Sequence, residues 1–551
     1  SHRIMQERIS QNPALAEWWK GQGKDAPAAD TKVIRQIQEL GAFLGDEIVV
    51  SAGMNAQGEP GNILALAELK DAAGFRPYLE QQIARLAAEG KQAPNVRIVE
   101  DPSKFEAGAS SAATSDRKGA KGEPKREELF IWVRDDLFAA SLEIETLRAL
   151  AASLENSSAN RFRGTPFHTR LSEIYREGAG LVVAADLERI VSRAAADEGK
   201  SPEGQRKIEG FRQLGLLNVK HLVVEQKEVK AKTQSRAVLT FGEPQRGIAS
   251  WLAQPGPMGA LEFVSPEANV ATAFTVKEPA HLVDDLLGFL ETVEPNLRKQ
   301  LRELEAQQGF DIRRDFAAPL GGEFAFAVDG PVLPTPSWKM VVEVYDQPRL
   351  QQTFERVVEK LNGWAALQGK QGLRWENTTD GARTFYALKS VDFGLEVHYT
   401  YANGYLVAGP SRALLDRALK FRETGTTLLR SPRFTSALPE DGNANFSAVF
   451  YHDLAPLVKP FAERAAGMGS QLPEKERQAL ASLAADAPPT LAYAYARGDS
   501  ITLAANTEGG PFGLGPASLL GLPNSFAIQH ILMNAMGDKA NKPEGAKAKN
   551  D

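Results

Sequence analysis

Leu320–Leu361 reads LGGEFAFAVDGPVLPTPSWKMVVEVYDQPRLQQTFERVVEKL. Phe324, Phe326 and Val328 alternate with small residues, the period of a half-buried strand. A turn rich in Pro and Gly follows, and the β-branched and aromatic run Met340–Tyr345 predicts a second strand. Leu350, Phe354, Val357, Val358 and Leu361 then recur at helical spacing, which predicts an amphipathic helix. The same order occurs earlier in the chain, in Leu44–Leu86, LGDEIVVSAGMNAQGEPGNILALAELKDAAGFRPYLEQQIARL. Glu47 aligns with Glu323 and Leu64 with Met340, both 276 positions apart (323−47 and 340−64).

Working outward, the correspondence continues. Leu129–Val133 and Leu137–Ala140 predict a hairpin across Arg134–Asp136, followed by a helix with Leu142, Leu147, Leu150 and Leu154. Their counterparts are Val397–Tyr401, Tyr405–Ala408 and a helix with Leu414, Leu415 and Leu419, where Leu147–Leu150 (LRAL) aligns with Asp416–Leu419 (DRAL). Gly180–Asp186 answers Ser447–Asp453, each a strand ending in an Asp suited to cap the next helix. Leu187–Leu214 and Leu454–Ala485 read as helical. The hairpins Val219–Val229/Ala237–Phe241 and Leu491–Tyr495/Ile501–Ala505 correspond, as do Gly247–Pro257 and Gly515–Pro523.

These correspondences predict an α+β protein of two tandem repeats, 1–257 and 258–523, each a mostly antiparallel sheet with helices on one face. A pseudo-twofold is expected to relate them. Pro102–Glu128, poor in apolar residues, reads as a flexible insertion. Residues 524–551 read as a short helix, Phe526–Met536, and a disordered tail. Repeat 2 opens with the strand-rich Leu261–Val276, which has no counterpart ahead of the first helical pattern of repeat 1. The comparison predicts that this first strand, with any export signal, lies upstream of Ser1.

Length and composition bound the function. The chain has 551 residues, 43% of them hydrophobic and 24% charged, with a formal net charge of −6. It is too long for one core, and its lack of basic excess disfavours broad nucleic-acid binding. With no cysteine, disulfides, thiolate catalysis and zinc–cysteine sites are excluded. No apolar run is long enough for a spanning helix. There is no G-x-S-x-G elbow, phosphate loop, H-E-x-x-H or G-x-G-x-x-G after a strand. Gly21–Lys24 (GQGK) lacks both the preceding strand and the following Ser or Thr of a phosphate loop.

The seven histidines, His2, His168, His221, His281, His398, His452 and His530, show no metal-ligand spacing. His398 should share a strand face with Glu396 and Thr400, on a solvated side of the sheet. His452 precedes Asp453, but neighbours on a strand point to opposite faces, so the two are poorly placed to cooperate. Glu47 and Glu323 follow Leu-Gly-Asp and Leu-Gly-Gly at matching strand starts. They read first as turn-stabilising carboxylates and second as a pseudo-symmetric pair at a cleft. Trp18, Trp19, Trp251, Trp338, Trp364 and Trp375 read as packing residues before ligand platforms. No catalytic, cofactor-binding or metal-binding residue is assigned, and no cofactor is expected.

Leu44–Val50, Leu320–Val328 and Gly247–Phe274, with Phe263–Ala268 (FVSPEA), resemble an uncharacterised bacterial cell-envelope family, a "domain of unknown function" group. The resemblance implies export and a periplasmic or other extracytoplasmic envelope location, and it transfers no activity. The expectation is therefore a non-catalytic interaction or scaffold protein that binds a protein partner, with exposed apolar patches at sheet edges or between repeats. The alternative is a carrier whose cavity encloses a lipid or other apolar small molecule, with an enzyme third.

Overall fold

The computed structural model describes residues 41–54, 60–88, 95–105, 128–156, 162–229, 232–242, 247–294, 296–330, 336–390, 392, 394–439, 443, 445–453, 459, 463 and 489–505. The expected N-terminal helices before residue 41, most of the insertion, most of the Leu454–Ala485 helix and the chain beyond residue 505 lie outside these residues. The chain divides into two compact units between Glu173 and Ile174. The division falls inside repeat 1 as the sequence delimits it, so the units and the halves of the sequence do not coincide.

In the first unit, strands β1 (Leu44–Met54), β2 (Pro60–Leu69), β3 (Asn95–Val99), β4 (Glu128–Arg134) and β5 (Leu137–Ser141) form a sheet of order β1-β2-β5-β4-β3. Every pairing is antiparallel except β3 with β4. Phe130–Val133 is an unbroken apolar run, so both faces of β4 need cover. Helix α1 (Ala72–Ala88) supplies it on one face, packing Phe75 against Ala67, Leu69, Val133 and Phe138. Helix α2 (Ile144–Glu155) covers the other, setting Leu147 and Ala151 on Phe130, Trp132 and Ala139. Helix α3 (Pro166–Glu177) carries the chain across the division.

The second unit contains α4 (Leu187–Glu198), α5 (Pro202–Gln213), α6 (Ile248–Trp251), a 3-10 turn at Gly259–Phe263, α7 (Pro279–Val293), α8 (Leu297–Gln308), α9 (Gln347–Leu367), α10 (Arg412–Thr424) and α11 (Pro432–Ala437). Its strands are β6 (Leu181–Asp186), β7 (Val219–Val229), β8 (Lys232–Phe241), β9 (Val270–Thr275), β10 (Leu320–Val328), β11 (Trp338–Val344), β12 (Arg374–Asp380), β13 (Arg383–Ser390), β14 (Leu395–Ala402), β15 (Tyr405–Gly409), β16 (Ala448–His452), β17 (Thr490–Arg497) and β18 (Ser500–Ala505). They form one antiparallel sheet of order β12-β13-β14-β15-β11-β10-β9-β16-β17-β18-β8-β7-β6. Strands from both halves of the sequence join where β18 pairs with β8, with Thr502 opposite Val238.

The α+β class and the mostly antiparallel sheets are as expected, but helices on a single face are not. In the second unit Leu415 of α10 belongs to the core on one face, with Val341 and Val407. Leu350 of α9 packs on the other, with Leu406 and Ala408. Strands with apolar residues at both parities require both layers. Leu261–Val276 is likewise less strand-rich than expected, because Gly259–Phe263 turns as a 3-10 helix and extended structure begins at Val270.

Matching details recur between the two stretches that the sequence aligns. The β1–β2 register shifts between Leu44 and Ile48, and the β10–β11 register shifts between Leu320 and Phe324, 276 positions on (320−44 and 324−48). Each bulge holds a glycine that lets a partner-strand glutamate cross over it. A Cβ on Gly45 would collide with Glu68, and one on Gly321 with Glu343. The hairpin residues Asp135 and Asn403 both take positive φ, 50° and 53°.

Two sequence alignments move by one residue. Ala65, not Leu64, corresponds to Met340, because Val50 pairs with Ala65 where Phe326 pairs with Met340. The fully buried Leu147 corresponds to the fully buried Leu415 rather than to Asp416. Strand register decides the first case and burial the second, where identity of letters misleads.

Candidate functional site

Glu323 and Glu47 lie on strands that the sequence aligns, in different surroundings. Glu323 is buried: its Oε1 accepts from the backbone N–H of Ala260 at 2.5 Å and its Oε2 from the Tyr405 hydroxyl at 2.9 Å. Burial raises its carboxyl above the usual range, and raises the Tyr405 phenol as well. Arg422 donates to the Gly259 carbonyl at 3.2 Å, pairs with Glu262 at 3.3 Å and lies over the rings of Phe263 and Tyr405. The cluster clamps the Gly259–Phe263 turn onto β10. Chemically, it holds backbone in place with a carboxyl that burial favours in its protonated form.

A second clamp lies at the far end of β10. Lys339 and Asp329, each with a side chain 1% exposed, pair at 2.7 Å. Lys339 also donates to the Phe263 carbonyl at 2.9 Å, and Asp329 accepts from the Ser265 N–H at 3.0 Å. Burial lowers the Lys339 ammonium from its ordinary value. The sequence reading missed this pair. A lysine and an aspartate at the ends of apolar strands, WKMVVEV and EFAFAVD, were the available signal. Both clamps fasten the segment that includes FVSPEA.

Glu47 is exposed, on a cleft of about 350 Å³ lined also by Val49, Leu66, Ala67, Glu68, Asp136 and Leu137. Where Tyr405 meets Glu323, the hairpin alignment (403−135) places Leu137, which has no hydroxyl to offer Glu47. The two glutamates therefore do not share a role. A second cleft, about 420 Å³, lies between α5 and α7 and is lined by Arg206, Glu209, Gln213, Gly288, Glu291, Thr292 and Arg298.

The remaining residues singled out by sequence are dispersed. His452 is buried with its ring tilted on Phe450, while the adjacent Asp453 pairs with Arg433 at 2.8 Å. His398 meets Glu396 at 2.9 Å across one strand face, as alternation requires, but Thr400 on that face is fully buried rather than solvated. Asp186 precedes α4, yet its side chain makes no capping bond, and Asp453 spends its carboxylate on Arg433. Trp338 and Trp375 pack beside the core under α9, and Trp251 donates to Asp285 at 2.8 Å. Among the described residues, no group of three or more His, Asp or Glu could hold a metal ion. None of the described helices is long and apolar enough to cross a membrane.

No family model matches the chain, and no curated protein matches it. A solved structure described as crystal form III of TP0453 is 14% identical, covering 51% of this chain and 86% of its own, with a TM-score of 0.22. At that score the likeness carries no argument about fold or function.

Proposed function

We propose that this chain is a non-catalytic interaction module of the bacterial cell envelope, a scaffold built on a duplicated α+β unit that takes a protein partner at a sheet edge. The observation that carries it is apolar exposure on the outermost strands. Ile48 and Val50 of β1 are 49% and 71% exposed, and Val183 of β6 is 48% exposed. Soluble proteins ordinarily blunt such edges with charge or cover them, because a row of unpaired backbone groups beside apolar side chains recruits another strand. The envelope location rests on the resemblance of Leu44–Val50, Leu320–Val328 and the FVSPEA segment.

A carrier for an apolar ligand calls for an enclosed cavity lined by Phe, Leu and Val, about 300 Å³ or larger. Two clefts among the described residues have carboxylate or guanidinium groups in their walls, which supports the scaffold over an apolar carrier at those places. Native mass spectrometry of the protein isolated from its own source tests the choice. Co-isolation of a second polypeptide at fixed stoichiometry is the expected result. A persistent lipid-sized mass excess with no protein partner would overturn it.

A further inference from the structure

We infer that β1 binds a partner polypeptide by strand addition, accepting an extended segment with the side-chain pattern of β9, antiparallel, alongside Glu47–Ala52. This deepens the interaction-module reading and rests on it. Among the described residues β1 hydrogen-bonds on one side only, to β2. Its equivalent, β10, is bonded on both sides, to β11 and to β9. The filled edge of one strand thus describes an occupant for the other.

The pairing on β10 specifies that occupant. Ala271 and Ala273 of β9 stand opposite Ala327 and Ala325, and all four side chains are buried. On the other face Phe274 lies opposite Phe324, the rings stacked at 5.3 Å, and Thr272 lies opposite Phe326. Transferred by 276 positions, small residues would face Val49 and Ser51. A large apolar residue would cover Ile48, and a β-branched one would cover Val50. Those two are large apolar side chains that β1 leaves exposed. Strand addition of this kind draws affinity from main-chain bonds and specificity from alternate side chains.

The same comparison sets where the segment must leave. On β10 a Cβ at Gly322 would collide with the carbonyl oxygen of Val276, just past the end of β9. The first unit has Asp46 there, its side chain 94% exposed. A segment on β1 therefore diverges before Asp46, one residue earlier than β9 leaves β10.

The test is hydrogen–deuterium exchange of the whole protein, with and without a capped synthetic peptide of the β9 sequence, Asn269–Val276. Slowed exchange confined to Leu44–Met54 is the expected result. Val50→Lys, at an exposed site that leaves the core intact, should weaken the effect about threefold or more, the scale of one lost cross-strand pair. Asp46→Gly should tighten binding and extend protection by one residue. Three outcomes overturn the proposal: no peptide-induced protection at β1, protection of β1 in the protein alone, or protection that grows with protein concentration without peptide. If the peptide fails while a partner still co-isolates, strand addition is wrong and the interaction-module reading stands. If neither binds, both fall.

Discussion

Replacing Lys339 by Met should destabilise the second unit by about 3–5 kcal/mol, the range for a buried pair that loses one partner. The methionine keeps most of the aliphatic stem, so the change leaves little cavity and isolates the electrostatic loss. What remains is the Asp329 carboxylate, 1% exposed, with the Ser265 N–H as one donor and its Oδ1 without a hydrogen-bond partner. At 2.7 Å the Coulomb attraction is about 6 kcal/mol for an effective dielectric of 20. Desolvation of both ions opposes it, which is why the pair itself adds little net stability while half of it is costly. Lys339→Met combined with Asp329→Asn should recover to within about 1 kcal/mol of wild type, because no charge is then stranded. Urea unfolding followed by tryptophan fluorescence reads the change, fitted with a separate transition for each unit because one two-state curve is not licensed for two units. A single-variant loss below about 1 kcal/mol, or a double variant no better than the single, would refute the reasoning.

Three further outcomes follow from the second unit. Asp315, buried and bonded to Arg314 and Arg349, is held at about 2, chiefly by the Arg314 hydrogen bond. Its folded value lies below its unfolded one, so its contribution is present above about pH 4 and lost as pH falls toward 2; Asp315→Asn should flatten that acid limb, and an unchanged limb refutes it. Glu323 is raised by burial, so the folded state holds the proton more tightly. Its contribution is greatest below the ordinary glutamate range and declines as pH rises through it; wild-type and Glu323→Gln stability curves should converge or cross with rising pH, and parallel curves refute this. Gly322→Ala should cost about 1–3 kcal/mol or more by forcing β9 off β10, whereas Asp46→Ala in the first unit should stay within about 0.5 kcal/mol; equal effects would show that β9 does not crowd Gly322.

Local pattern carried much of this fold. Alternation in EFAFAV and the Leu-Gly-x-Glu opening identified β10 and β1. The Leu-Gly repeat has a cause in the bulge, where a glutamate from the next strand crosses the glycine. The β12–β13 hairpin went unread because RWENTTD has no apolar period. Its exposed face is polar, and cross-strand pairing with β13 holds it. Helices were placed on one face because each amphipathic stripe shows that a helix has a core side, never which side of the sheet it covers. The slip at Leu147 arose from matching letters, where packing conserves burial; the slip at Leu64 arose from carrying the offset of 276 across a turn that is one residue shorter in the second stretch. Nor does any local pattern show that β8 and β18 are neighbours, since they are separated by more than 250 residues.

Strands β1 and β10, which the sequence aligns, act as each other's control. Both carry the Leu-Gly-x-Glu bulge, yet Glu323 is buried and Glu47 is exposed. The motif therefore does not set the burial; the cover does. In the second unit Tyr405, Asp329 and Lys339 fasten that cover, and Gly322 leaves room for it. At the aligned positions the first unit has Leu137, Gly53, Leu64 and Asp46. Three of the four substitutions remove a polar anchor, and the fourth removes the room for a crossing carbonyl. A segment on β1 must then be held by main-chain bonds and by contact with Ile48, Val49 and Val50, without a buried ion pair. Its affinity should accordingly change less than about twofold between low and high salt, since screening acts on charges and not on apolar contact. Titration of the uncharged peptide across that range reads this directly. A steep loss of affinity with salt would refute this account, because neither main-chain bonds nor apolar contact with an uncharged peptide is screened.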